Sequence, residues 1–243
     1  MLKFDDLGRG TPIVLIHGLG SKKEAWAPQH ELANHFRLII PDLRGHGETD
    51  LNEGLTVQNF ASDIIELLEH LKIRSAFFCG LSLGGIVAQE LYLQRPEMVR
   101  GLILSNTTAY VPSILGQRIV TESRKLLQKG EETLVDHIVT EGLYDSKYKE
   151  EAKKAFHIRD TYLESAKASL GINYFYILPM IKKPVLLIGS THDKVTPSIN
   201  IFMMGIFLSR AKTALLKNTG HLSNIEKKDL FNKYVSDFVA TSA

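Results

Sequence analysis

The chain has 243 residues, of which 44% are hydrophobic and 23% charged, with a formal net charge of +2. That is enough apolar material for one large core, and a balance too even for a nucleic-acid-binding surface, which needs a concentrated basic face. A single cysteine, Cys79, excludes an internal disulfide and fits a reducing, cytoplasmic setting.

The opening "MLKFDDLGRG" has no apolar signal core. "PIVLIHG" is a short apolar run ending in glycine, as a buried parallel strand would be, and "FRLIIPD" repeats the form with Pro41 as its stop. "TVQNFASDIIELLEHL" spaces Val57, Phe60, Ile64, Leu67, Leu68 and Leu71 as one helix face, with Thr56 placed to cap it. "SAFFCG" predicts a strand, "GGIVAQELYLQRP" a helix ended by Pro96, and "RGLILSN" another strand. The rhythm then stops near Thr107. From Ala109 to Tyr176 the pattern is helical, with ten basic and ten acidic residues, which predicts a solvated mixed face. "KPVLLIGS" and "KTALLKN" resume the strands, and "KKDLFNKYVSDFVA" predicts a closing amphipathic helix.

Strands alternating with helices predict an α/β fold with a mostly parallel central sheet flanked by helices on both faces. The helical middle reads as an insertion between two strands: core residues 1–108, insertion 109–177, core 178–243. The longest apolar run, "IFMMGIFL" (Ile201 to Leu208), is far short of the about 20 residues a membrane span needs. Deep packing under the insertion is one reading of it. An apolar face for a homodimer or a lipid surface is the other.

The chemistry centres on Gly80-Leu81-Ser82-Leu83-Gly84. A serine hydroxyl is a weak nucleophile and needs both placement and a base. A sharp turn from strand to helix supplies the placement, and G-x-S-x-G in that setting is the nucleophile-elbow pattern. An inert serine on a tight turn is the competing reading, against which the next features weigh. "HGLG", from His17 to Gly20, ends an earlier strand. Its glycines let backbone N–H groups bend toward a developing oxyanion, with Leu19 and Leu83 as the predicted donors. Among nine histidines, His221 follows the strand "KTALLKN" and can reach the same sheet edge as Ser82. Asp193 follows "LLIGS", placed to orient that imidazole. His192 reads as a structural neighbour, and Cys79 as a buried strand residue.

Over nearly its full length the chain resembles serine hydrolases of the α/β-hydrolase fold, on "HGLG", "PDLRGHGET", "GLSLGG", "GSTHDKVTP" and "NTGHLSNIEKKDLFN". Within them, "GLSLGG" and "GHLSNIE" resemble 3-oxoadipate enol-lactonases and small carboxylesterases. The resemblance implies a Ser82–His221–Asp193 triad acting on a small-molecule ester or lactone, with no cofactor, no metal, no nucleic acid and no membrane span. Some relatives carry the acid at the end of the preceding strand; "LILSNTT" has no carboxylate there, which favours Asp193. The resemblance gives Arg44 and His46 a structural role and makes residues 109–177 a helical cap. Their apolar residues, from Tyr110 to Phe175, either seat the cap or line a pocket. A ligand sensor with slow hydrolysis and a carbon–carbon bond hydrolase are the alternatives that share these residues. Only about a dozen residues precede "PIVLIHG", so at most one short strand is expected where such folds open on a hairpin.

Overall fold

The computed structural model describes residues 1–242. Its strands are β1 (Phe4–Gly8), β2 (Pro12–Ile16), β3 (Arg37–Pro41), β4 (Ala76–Leu81), β5 (Val99–Ser105), β6 (Val185–Ser190) and β7 (Ala211–Leu216). They form one sheet in the order β1-β3-β2-β4-β5-β6-β7. Only β1 runs antiparallel, pairing Phe4–Gly8 with Pro41–Arg37; it is the one short strand expected before "PIVLIHG". The other ladders are parallel.

The two faces are built by alternation along the strands. Val14 and Ile16 of β2 and Phe78 of β4 point to one side, where α1 (Val57–His70) and α2 (Leu83–Gln94) cover them with Phe60, Ile64, Val87 and Leu91. Ile13, Leu15, Phe77 and Cys79 point to the other side. There they meet Trp26 from a 3-10 segment at Lys23–Asn34, and Phe231, Val235 and Phe238 from the closing helix Lys228–Ser242. Each strand of the centre is therefore covered on both sides, which is why it reads as a continuous apolar run. Thr56 Oγ1 accepts from Asn59 N at 3.2 Å, capping α1 as expected.

Between β5 and β6 the chain leaves the sheet and forms α3 (Ser113–Leu127), α4 (Glu131–Gly142), α5 (Lys149–Lys153) and α6 (Tyr162–Lys167). The departing and returning segments hold each other: Val111 N donates to Ile172 O, Gly171 N to Val111 O, and Tyr174 N to Ala109 O. Tyr174 Oη also donates to Glu90 Oε2 of α2 at 2.5 Å, fixing the returning segment to the core. After β6 comes α7 (Ile199–Phe207), then β7, α8 (Ser223–Glu226) and α9, the closing helix. Of the run "IFMMGIFL", Ile201, Met204 and Leu208 are buried. Phe202, Met203, Ile206 and Phe207 are exposed, so deep packing of the whole run is not what the fold does. Among the described residues no helix is long and apolar enough to cross a membrane.

Candidate active site

Ser82 sits between β4 and α2 with φ 54° and ψ −119°, a left-handed backbone that a non-glycine residue adopts only when the surroundings enforce it. They do so through hydrogen bonds and through missing side chains. Ser82 N donates to Ser105 O at 3.0 Å, and Thr107 Oγ1 donates to Ser82 O at 2.7 Å. A Cβ on Gly80 would lie 2.2 Å from Gly84 O, and one on Gly84 would lie 2.1 Å from Ile16 O. The two glycines of the pattern thus let strand, helix and the neighbouring strand end meet at backbone distance. Cys79, one residue earlier, is fully buried, and burial pushes its thiol pKa up, which makes it inert as a nucleophile.

His221 lies on the loop between β7 and α8. Its Nδ1 is 2.9 Å from Asp193 Oδ2 and 3.1 Å from Oδ1, and Thr196 Oγ1 stands 3.1 Å away. Asp193 accepts further bonds from Asn106 Nδ2 (2.8 Å), Val195 N (2.9 Å) and Thr196 N (2.8 Å). Burial alone would raise its pKa. The attraction of His221 and the bonds from His221, Asn106 and Thr196 outweigh that and hold the carboxyl below its ordinary value. With Nδ1 committed to the carboxylate, Nε2 is the ring nitrogen left for another partner. Among the described residues no hydrogen bond joins Ser82 Oγ to His221, although both line the same cavity.

The loop from His17 to Gly20 runs beside Ser82; a Cβ placed on Gly18 would lie 3.5 Å from the Ser82 Cβ. Among the described residues neither Leu19 N–H nor Leu83 N–H is taken by a backbone acceptor, and both residues line the same cavity as Ser82 and His221. His17 is fully buried; its Nδ1 donates to Gly18 O (2.8 Å) and its Nε2 accepts from Leu43 N (3.0 Å). Burial lowers its pKa to about 4, so the ring is a neutral clamp between two loops. Arg44 holds Asp63 with two bonds, and His46 packs on His17 and Phe60. Neither Arg44 nor His46 lines the cavity, in keeping with the structural part given to them.

The cavity measures about 940 Å³ and lies between the sheet edge and the helices after β5. Of the insertion's apolar residues, Tyr110, Val111, Leu115, Phe156, Tyr162 and Phe175 are among those that line it, whereas Ile114, Leu143, Tyr144 and Tyr174 do not. Tyr144 instead stacks on His192 at 4.2 Å, away from the cavity. Sequence reasoning missed Asn106, the residue that braces Asp193. Its one signal was an asparagine closing a strand, a residue type that tolerates positive φ, here 44°.

A serine on a strained strand-to-helix turn, a glycine loop beside it and a carboxylate-held histidine at one edge of a mostly parallel sheet define a hydrolase-fold protein. The chain belongs to the alpha/beta hydrolase fold family, whose model matches residues 11–228. It is 29% identical to 3-oxoadipate enol-lactonase 1 of Acinetobacter baylyi over 93% of this chain and 88% of that protein. The enol-lactonase structure from Burkholderia xenovorans LB400 superposes with a TM-score of 0.89 at 28% identity, covering 98% of this chain and 96% of that one. A thermophilic esterase from Thermogutta terrifontis shares the fold, with a TM-score of 0.89 at 24% identity over 99% and 93% of the two chains.

Proposed function

We propose that the protein is a serine hydrolase of carboxylic esters or lactones, with Ser82 as nucleophile, His221 as base and Asp193 as the acid that orients it. The observation that carries the reading is the strained Ser82 turn opening into the cavity that also holds the Asp193-bound His221. Relatives named as enol-lactonases support the ester or lactone class.

In this reading Ser82 Oγ attacks the acyl carbon while its proton passes to His221 Nε2. The carbonyl oxygen becomes an oxyanion held by the N–H groups of Leu19 and Leu83. The start of α2 also points its positive dipole end there. Asp193 keeps His221 in the Nδ1–H tautomer and stabilises the imidazolium. That imidazolium gives its proton to the departing alkoxide as the acyl–oxygen bond breaks. Water, deprotonated by His221, then attacks the acyl-enzyme, and Ser82 recovers its proton. Residues 109–177 act as a cap that excludes bulk water and forms the outer wall of the acyl site.

Replacing Ser82 by Ala tests this directly. Turnover of p-nitrophenyl butyrate is expected to fall at least about a thousandfold while the melting temperature changes little. Unchanged turnover in the variant would overturn the assignment.

A further inference from the structure

The charges around the cavity say what kind of acyl group it takes, granted the hydrolase reading above. Among the described residues no arginine lines it, and the lining lysine is Lys194 alone. Lys194 stands at the rim, 63% exposed, and lies 3.9 Å from Glu141. Two carboxylates, Glu122 and Glu141, share that rim, and the lining imidazole of the insertion, His137, lies 3.7 Å from Glu122. The arginines of the insertion are engaged or turned elsewhere. Arg159 donates to Gly47 O and Thr49 O and pairs with Asp50. Arg118 lines a separate shallow depression on the outer side of α3, and Arg124 is exposed and absent from the cavity lining.

The wall itself is apolar, with Leu115, Ile119, Leu134, Ile138, Phe175 and Met203 among its residues. Besides Glu122 at the rim, its polar side chains on α3 and α6 are the hydroxyls of Ser123, Tyr162 and Ser165. A hydroxyl can meet a neutral carbonyl or ether oxygen but supplies no formal charge. A carboxylate brought into this space would lose its hydration and face two acids, and the basic side chains at the rim, Lys194 and His137, already stand beside those acids.

We infer that the substrate carries a bulky, uncharged acyl group, alkyl or aryl, and that the site discriminates against acyl groups ending in a carboxylate. Acetyl is also a poor fit, because it leaves most of a cavity of about 940 Å³ unfilled.

The test is kcat/KM for three p-nitrophenyl esters: acetate, hexanoate and the monoester of adipic acid, each divided by its own hydroxide-catalysed rate. Hexanoate is expected to exceed acetate, by up to about fourfold per added methylene. It is expected to exceed the adipate monoester, its match in length, by about a hundredfold. Ile119→Arg, which puts a cation on the wall, is expected to narrow that second ratio at least tenfold. Equal turnover of hexanoate and adipate monoester would overturn this inference and leave the hydrolase reading intact. An acetate optimum would overturn the size half of it in the same way. No turnover of any ester, or turnover that survives Ser82→Ala, would instead overturn the hydrolase reading.

Discussion

Asn106 shows how much one side chain can organise at this sheet edge. It follows β5 in a left-handed conformation, and both ends of its amide are used. Nδ2 donates to Asp193 Oδ2 and Ser190 Oγ; Oδ1 accepts from Ser223 Oγ (2.7 Å) and Ser105 Oγ (2.9 Å). Its own carbonyl accepts from Thr196 Oγ1, the hydroxyl that also approaches His221. Asn106→Gly keeps the backbone conformation and removes the amide. The loss of a charge-assisted bond to a buried carboxylate is worth about 1.5–3 kcal/mol. Steady-state kinetics on an ester is therefore expected to show kcat reduced about tenfold or more, with KM little changed, because the residue touches Asp193 and not the substrate. A rise in KM at constant kcat would mean that Asn106 shapes the pocket instead. The contrast with Ser82, Asp193 and His221 is instructive. Those three are readable from local patterns at strand ends, whereas a bracing residue is defined by partners 84, 87 and 117 positions away.

At the scale of elements, legibility followed burial. The strands from β2 to β6 are covered on both faces and stand out as apolar runs, and α1 stands out by its one-sided spacing. The 3-10 segment Lys23–Asn34 did not, because Pro28 and mixed polarity break any period, yet its Trp26 is fully buried against Phe231. The apolar helix α7 stood out as an element, but its inward side did not. It is so uniformly apolar that no periodicity marks which side faces in. Its geometry now separates the two sides, Ile201 and Met204 inward and Ile206 outward at 71% exposure. Met204→Glu is expected to destabilise the fold by at least about 3 kcal/mol, since it buries an unpaired charge. Ile206→Glu is expected to leave stability within about 0.5 kcal/mol. Urea unfolding of the two variants checks this; a similar loss for both would mean that the outer face of α7 is covered in solution.

At the scale of the molecule, the fold class was legible and the cavity was not. Its lining comes from segments as far apart as Leu19, Leu134 and Ile225, so no local pattern could sort which insertion residues face it. Equally hidden in the sequence was the pair of buried imidazoles beneath the site, which ties the stability of the whole fold to pH. His17 and His46 lie 5.2 Å apart between ring centres and are both sealed from solvent. Burial lowers their pKa values from the ordinary 6.5, to about 4 for His17 and about 3 for His46, where the proximity of His17 contributes further. Both folded values lie below the unfolded one, so the unfolded chain binds more protons in the window from pH 6.5 down to about 4. The stabilisation from keeping these rings neutral is therefore complete above pH 6.5 and is lost as the pH falls through that window. Asp193, held below its ordinary value, contributes only in a lower window, under about pH 4. With each ring changing stability by up to about 1.4 kcal/mol per pH unit, the unfolding free energy is expected to drop by about 2 kcal/mol between pH 7 and pH 5.5. In His46→Leu that drop is expected to halve, whatever the variant's stability at pH 7. Urea titrations at the two pH values measure both quantities. An undiminished drop in the variant would place the responsible protons outside this pair.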